Sequence, residues 1–460
     1  MSRRQVLGLL GVGALTACAP SVTSVTPRAE PSAVGGPARD IRLRARPITW
    51  DAGTGGVSTW AYGDGVPGPV IRATAGERVR VHFTNALPVE TSIHWHGLAI
   101  RNEMDGVPGV TTAPIRAGAT FDYDFVVPDA GTHWFHPHTG LQLDTGLYAP
   151  FIVDDPREPG DYDHEWIVVL DDWLSGRDPE QVFAQLQDTP PAGMRMGMGG
   201  MDGGDVDYPL YLINGRAPAD PDVLRAKPGQ RIRVRIINAA ADTMFTVALG
   251  GHEMTITHTD GFPVQPSITG ALRVAMGERY DLTVTAGDGW FPLLAQAVGR
   301  AGYGLAVLGT GARSALSRPA ELDRRPTLVS DLGVAPASAL PQRVPDATAD
   351  LLLTGPGSGY VWTINGRTYD VAEPLTVGAG ELLRLRMRNM SMMSHPMHLH
   401  GHTFQVGDAG GTGARKDTVL IAPMAAVAVD VLADNPGKWM LHCHNAYHAE
   451  AGMMTRLDYI

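Results

Sequence analysis

Three stretches of the chain alternate apolar and polar residues in the same phase: GERVRVHFTN at 76–85, GQRIRVRIIN at 229–238 and GELLRLRMRN at 380–389. A period of two puts every second side chain on one face, so each stretch is predicted to be a half-buried β-strand. Each opens with Gly and closes with Asn nine residues later, and Asn85, Asn238 and Asn389 stand 153 and 151 residues apart. LINGR at 212–216 and TINGR at 363–367 precede the second and third of these strands. Such spacing implies three copies of one domain. Further strand runs recur in each copy, punctuated by the chain's 55 glycines and 35 prolines. The prediction is an all-β chain of three tandem β-sandwich or Greek-key barrel domains at about 41–157, 158–320 and 321–460. PEQVFAQLQ at 179–187 is the one short helix expected.

A length of 460 residues exceeds what one hydrophobic core serves. A net charge of -11 without a basic patch argues against nucleic acid as a partner and is compatible with a cationic substrate. The N-terminus, MSRRQVLGLLGVGALTACAP, sets Arg3 and Arg4 before an apolar run from Val6 to Ala17. That run is shorter than the roughly 20 residues needed to span a bilayer. The start resembles a twin-arginine export signal, with Val6 and Gly8 in place of its usual Phe and Lys. Leu15-Thr16-Ala17-Cys18 resembles a bacterial lipobox, in which the cysteine is lipidated; ordinary signal cleavage with an incidental Cys18 is the alternative. Residues 1–18 are thus expected to be an export signal and 19–40 a flexible linker. The mature protein is expected at the outer face of the cytoplasmic membrane or in the periplasm, held by a lipid anchor.

The histidines change the picture more than composition does. Ten of the 16 fall in four groups: HWHG at 94–97, HPH at 136–138, HPMHLH at 395–400 and HCHNAYH at 442–448. Chance at this abundance gives on the order of one His-x-His pair in the chain. On a strand, each pair aims two imidazoles at one place. Two groups lie in the first domain and two in the third, so eight rings converge if those domains pack together. Eight nitrogens are too many for one metal ion and suit about three. In the last group His442 and His444 face one side of a strand and Cys443 the other, so one strand can serve two sites. Cys443, His395 and His448 can form a second site with Met453 as a weak axial ligand, the ligand set of blue-copper electron transfer. Zinc is the runner-up metal, although its structural sites favour closed sets with several cysteines. The unpaired His82, His164, His252 and His258 read as structural, and His402 as a neighbour of the ligands.

At these residues the chain resembles the multicopper oxidases, through HWHG, HPH, HPMHLHGH and HCHNAYHAEAGM. Within that family it is similar to exported actinobacterial oxidases implicated in copper resistance, through NEMDGVPG, KPGQRIRVRIIN, HTDG, GARKDTV and HCHNAYH. The resemblance implies three cupredoxin-like domains and four copper ions. By motif position, His94 and His398 hold the type 2 copper. His96, His136, His138, His400, His442 and His444 hold the type 3 pair, and Cys443, His395, His448 and Met453 the type 1 copper. It implies one-electron oxidation of a substrate at the type 1 site and reduction of dioxygen to water at the other three ions. Asp105 matches the family's proton-relay aspartate; a turn residue in MDGVPG is the other reading. Several relatives carry Glu directly after the last type 1 histidine; here Ala449 stands there and Glu450 comes one later, which leaves that second relay open.

Substrate is the least legible property. Met194, Met196, Met198 and Met201 lie in MRMGMGGMDGGD, either a linker or a patch of soft thioether ligands suited to cuprous ion. Asp202, Asp205 and Asp207 add negative charge beside them. Met390, Met392, Met393 and Met397 surround the third histidine group and either line the mouth of the type 1 site or pack around it, with packing favoured for Met397. The expected activity is oxidation of Cu(I), with Fe(II) sharing the route. A laccase-type oxidase of phenols and aromatic amines is the alternative. A remote third reading is a copper-free scaffold or a non-catalytic periplasmic copper-binding protein on the same fold; copper-free relatives lack ligands, and here all ten histidines, Cys443 and Met453 are present, while a nitrite reductase needs neither three domains nor four paired groups.

Overall fold

The three alternating stretches are strands, Arg78–Asn85, Arg231–Asn238 and Leu382–Asn389, and each occupies the same place in its own pair of sheets. The computed structural model describes residues 38–158, 160–188, 203–407 and 412–460. Each repeated strand runs parallel to the first strand of its unit: Arg39–Asp51, His164–Trp173 and Ala347–Gly357 respectively. The first of these strands begins at Arg39, inside the stretch expected to be linker.

The closing asparagines explain the repeat. The side-chain amide of Asn85 donates to the carbonyls of Val89 and Ile115, while its oxygen accepts the N–H of Leu87. Asn238 does the same with Thr243, Val274 and Ala240, and Asn389 with Met393, Ile421 and Ser391. All three are fully buried. The chain turns out of the sheet at this point, and the amide satisfies backbone groups that the sheet no longer pairs. The NGR turns repeat as well: Asn214 and Asn365 take φ of 53° and 54°, with Gly215 and Gly366 following at 71° and 73°. Positive φ at both central residues is what a tight hairpin demands, and Asn-Gly supplies it.

Strands from Arg39 to Asp154 form two four-stranded sheets, those from His164 to Thr310 a six- and a five-stranded sheet, and those from Ala347 to Tyr459 again six and five. The α-helices among the described residues are Pro179–Asp188, one residue longer than expected, and Ala446–Glu450. Asn445 caps the second helix by accepting the N–H groups of Tyr447 and His448.

Histidine-bearing strands pair with each other. His94 lies opposite His136 in the first unit, and His398 opposite His442 in the third, which sets Met397 opposite Cys443. One guanidinium ties the three units together. Arg279 donates to the Thr132 carbonyl 3.1 Å away and, within its own unit, to Gly277 at 3.0 Å. It also grips both carboxylate oxygens of Asp417 at 2.7 and 2.5 Å.

Candidate metal centre

Eight imidazoles, from His94, His96, His136, His138, His398, His400, His442 and His444, meet between the first and third units. All but the half-buried His138 are buried. Ring nitrogens of His138, His400 and His442 gather in one group, with His400 Nε2 and His442 Nε2 3.1 Å apart. The rings of His96, His136 and His444 form another, with centroids 4.8–5.7 Å apart. His94 and His398 close the remaining side, 5.7 Å apart.

The outer nitrogens are committed to the protein. Nδ1 of His94, His136, His398 and His442 donates to the carbonyls of Asp105, Pro137, Asp417 and Cys443, at 2.9–3.0 Å. His400 Nδ1 meets Asp105 Oδ2 at 3.0 Å, and Asp105 Oδ1 lies 3.1 Å from His94 Nδ1. His96 is turned the other way, its Nε2 bonded to Asp417 Oδ1 at 3.1 Å. Each contact fixes a tautomer and aims the other nitrogen inward.

Those inward nitrogens test whether a metal fits. Nε2 of His94, His136 and His398, Nδ1 of His96 and both nitrogens of His444 are buried without a hydrogen-bond partner. Buried polar atoms are normally paired. Five clustered rings, each with a buried unpartnered nitrogen, are a set of imidazole donors suited to copper. Burial first, and then neighbouring imidazoles, holds His136, His400, His442 and His444 well below the usual histidine range. The rings are therefore neutral, the form that binds metal.

The second site sits on the other face of the Lys438–Cys443 strand. Cys443 Sγ lies 3.6 Å from His395 Nδ1 and 3.7 Å from His448 Nδ1, and those two nitrogens are 3.1 Å apart. Ser391 Oγ meets His395 Nε2 at 2.8 Å, and His448 Nε2 donates to Asp205 Oδ2 at 2.8 Å. Met453 is fully buried and its carbonyl accepts the Cys443 N–H. The Trp362 ring covers His448 at 4.0 Å between centroids. Burial pushes the Cys443 thiol up, so a bound cation has to displace its proton.

Asp205 is thus no free loop charge: it also accepts the Tyr360 hydroxyl at 2.6 Å. Asp207 pairs with Arg300 at the surface. Cys18, Met194, Met196, Met198, Met201 and Asp202 lie outside the described residues. Met397 is buried in the core, Met393 packs partly buried against it, and Met390 and Met392 are 40% and 47% exposed. Glu450 lines a cavity of about 170 Å³ that reaches His136, His138, His442 and His444, and burial followed by Glu180 pushes its carboxyl up. His402 bonds the His400 carbonyl and the Tyr459 hydroxyl. The lone histidines have local partners: His82 bonds Asp40 and Asp122, His164 bonds Gln230, His252 bonds Gly250 and His258 bonds Thr257.

Sequence reasoning missed Asp417, Arg279, Tyr360 and His133. The GARKDTV stretch contains Asp417, and its aspartate beside a lysine in an apolar surround was the available signal. Nothing local marks the others.

Three family models, each described as multicopper oxidase, match residues 45–158, 164–311 and 343–459. The multicopper oxidase MmcO of Mycobacterium tuberculosis (strain ATCC 25618 / H37Rv) is 47% identical, covering 98% of this chain and 96% of its own length. A copper resistance protein A homologue of Pseudomonas syringae pv. tomato (strain ATCC BAA-871 / DC3000) is 28% identical over 85% of this chain and 87% of its own. Among solved structures, Fet3p, a multicopper oxidase that functions in iron import, superposes with a TM-score of 0.81 over 92% of this chain and 90% of its own at 21% identity, a likeness of fold.

Proposed function

This chain belongs to the multicopper oxidases, copper oxidoreductases that pass electrons from a reducing substrate to dioxygen, and we propose that its donor is cuprous ion, oxidised outside the cytoplasm. Copper bound at the two sites supplies one-electron redox chemistry and, with it, the reduction of dioxygen to water. We assign one ion to Cys443, His395, His448 and Met453, one to His94 and His398, and two to His96, His136, His444 and His138, His400, His442.

The chain's own residues do the rest. The backbone from Cys443 to His442 and His444 joins the two sites covalently, so the electron path needs no jump through solvent. Asp105 holds His94 and His400 from behind and is the acid placed to give protons at their end of the cluster. Trp362 keeps water from His448.

The observation that carries the donor is the 2.8 Å contact between Asp205 Oδ2 and His448 Nε2. It puts a carboxylate, 20% exposed at its side chain, on the outer edge of the ring whose inner nitrogen faces Cys443. A cation drawn to that carboxylate sits one imidazole away from the electron acceptor. The thioethers of Met390 and Met392 add soft, exposed groups in the segment that leads into His395. The copper-resistance name of one relative agrees with this donor. The test is oxygen uptake with Cu(I) and with a simple phenol, for the parent protein and Asp205→Asn. Cu(I) should turn over faster, and the substitution should slow it at least about tenfold more than it slows the phenol. Equal losses, or faster phenol turnover, would turn the reading to a laccase.

Export and anchoring are proposed from Arg3, Arg4 and the LTAC ending at Cys18. No described helix is long and apolar enough to cross a membrane, so a lipid on Cys18 is the proposed tether. Cys18→Ala should release the protein from membranes; retention would remove the assignment.

A further inference from the structure

His133 is fully buried, and neither ring nitrogen has a hydrogen-bond partner. It is none of the eight clustered imidazoles and lies three residues before His136, on the Gly131–His136 strand. Two glycines show what the ring faces. On one side, a Cβ added to Gly97 would lie 2.2 Å from Arg279 Nη2, 2.7 Å from Asp417 Oδ2 and 3.0 Å from His133 Nδ1. These three atoms therefore converge on the space that glycine leaves, and Asp417 in turn bonds His96 and lies 3.3 Å from His398 Nδ1. On the other side, a Cβ on Gly261 would meet His133 Cε1 at 3.0 Å and Nε2 at 3.3 Å. Gly261, with Gly131 packed against it, lines a cavity of about 590 Å³ between the units, which also touches Asp129, Glu158, His258 and Arg415.

We propose that His133 is a proton carrier between this interdomain cavity and the Asp417 end of the histidine cluster. Reduction of one dioxygen to two waters takes four electrons from the donor and four protons from solvent, and half-buried polar cavities are where solvent protons arrive. A proton accepted at Nε2, on the cavity side, raises the ring to imidazolium. The proton on Nδ1 then passes across the Gly97 space toward Asp417 Oδ2, which leaves the ring neutral as the Nε2–H tautomer, and tautomer exchange or rotation of the ring restores the Nδ1–H form. No electron passes through it. The groups that face the ring electrostatically are Arg279, which disfavours the cation, and Asp417, Asp129 and Asp281, which favour it. Burial and Arg279 bring the ring down to about 4, so it rests neutral and carries the charge only transiently, as a shuttle requires. A buried imidazole with both nitrogens unbonded is otherwise a cost without return. The route is separate from Asp105, which serves the His94 and His400 side, and it rests on dioxygen reduction by the family rather than on the donor.

The test follows reoxidation of fully reduced, copper-loaded protein by dioxygen in stopped flow, so that no donor enters. His133→Phe keeps the packing and removes both nitrogens; reoxidation should slow at least about tenfold and its solvent isotope effect should rise. Anaerobic reduction of the type 1 site should be unchanged, and His133→Asn should fail to restore the rate. A second readout needs no turnover: in the reduced, diamagnetic holoenzyme with ¹⁵N-labelled histidine, the His133 ring proton should exchange with solvent faster than the protected amides of its own strand. Full activity of His133→Phe, equal slowing of type 1 reduction, or a ring proton that exchanges with solvent no faster than those amides would each overturn the proposal. Should His133→Phe lose its blue band through misfolding, the exchange measurement on the parent protein decides.

Discussion

Asp417→Asn removes one charge from a fully buried ion pair. Asp417 and Arg279 are both fully buried, and the two N–H···O contacts between them, at 2.7 and 2.5 Å, join the second unit to the third. Asp260 stands 3.5 Å from the same guanidinium and already serves Lys416 at 3.1 Å, so it cannot fully replace the lost partner. Stranding one member of a buried pair costs about 3–5 kcal/mol. With an unfolding slope of about 2–3 kcal/mol per molar urea, the midpoint should fall by about 1–2 M. Asparagine also ceases to be a strong acceptor for His96 and for the adjacent His398, and loss of such support costs about 10–100-fold in metal affinity. The assay is urea unfolding followed by tryptophan fluorescence, with the type 2 copper signal measured by electron paramagnetic resonance on the loaded protein. Arg386→Gln, which breaks the exposed Arg386–Asp350 pair, is the control and should leave both unchanged. A midpoint for Asp417→Asn within about 0.3 M of the parent, with the type 2 signal intact, would refute the claim that this pair fastens the units and orients the cluster.

Cys443→Ser should abolish the blue absorption and turnover while circular dichroism stays that of the parent; a blue, active variant would remove the thiolate site. Asn238→Ala strands the buried N–H of Ala240 and the carbonyls of Thr243 and Val274 and should cost at least about 2 kcal/mol in urea unfolding, with Asn85→Ala and Asn389→Ala alike. Asp281 predicts a pH dependence. Burial alone would raise its carboxyl, but Arg235 and Arg233 outweigh it and hold it far below the usual range. Its contribution is therefore complete above the unfolded carboxyl value of about 3.9 and fades as pH falls below it toward the folded value. The midpoint difference between the parent and Asp281→Asn should be constant from pH 7 to pH 5 and shrink below about pH 4; a constant difference at low pH would show that the charge is not what stabilises.

The repeat and the histidine pairs were legible because both are statements about period. Alternation places side chains on faces without reference to anything distant, and His-x-His inherits that rule, as the register of His94 with His136 and His398 with His442 makes visible. Cys443 opposite two flanking histidines was readable for the same reason. The closing asparagines were visible as a repeat but not as a mechanism, since the carbonyls they serve lie up to thirty-six residues further along the chain. Asp205 was read as loop charge, and the structure makes it the partner of His448, 243 residues away.

Arg279 and His133 carried no local sign, and Asp417 only that of an aspartate beside a lysine. Arginine next to an apolar strand residue, aspartate in a turn and a histidine one position out of phase each have ordinary explanations. What singles them out is burial at a junction of three units, where solvent no longer screens charge and every unpaired nitrogen matters. Local spacing, acting through strand geometry, was enough to indicate three β units and two sets of candidate metal ligands. Which carboxylate bridges rings of different units, which ring stays unbonded and what fastens the units depend on packing between residues as distant as Asp105 and His400 or Asp417 and His96, and only the tertiary structure decides that.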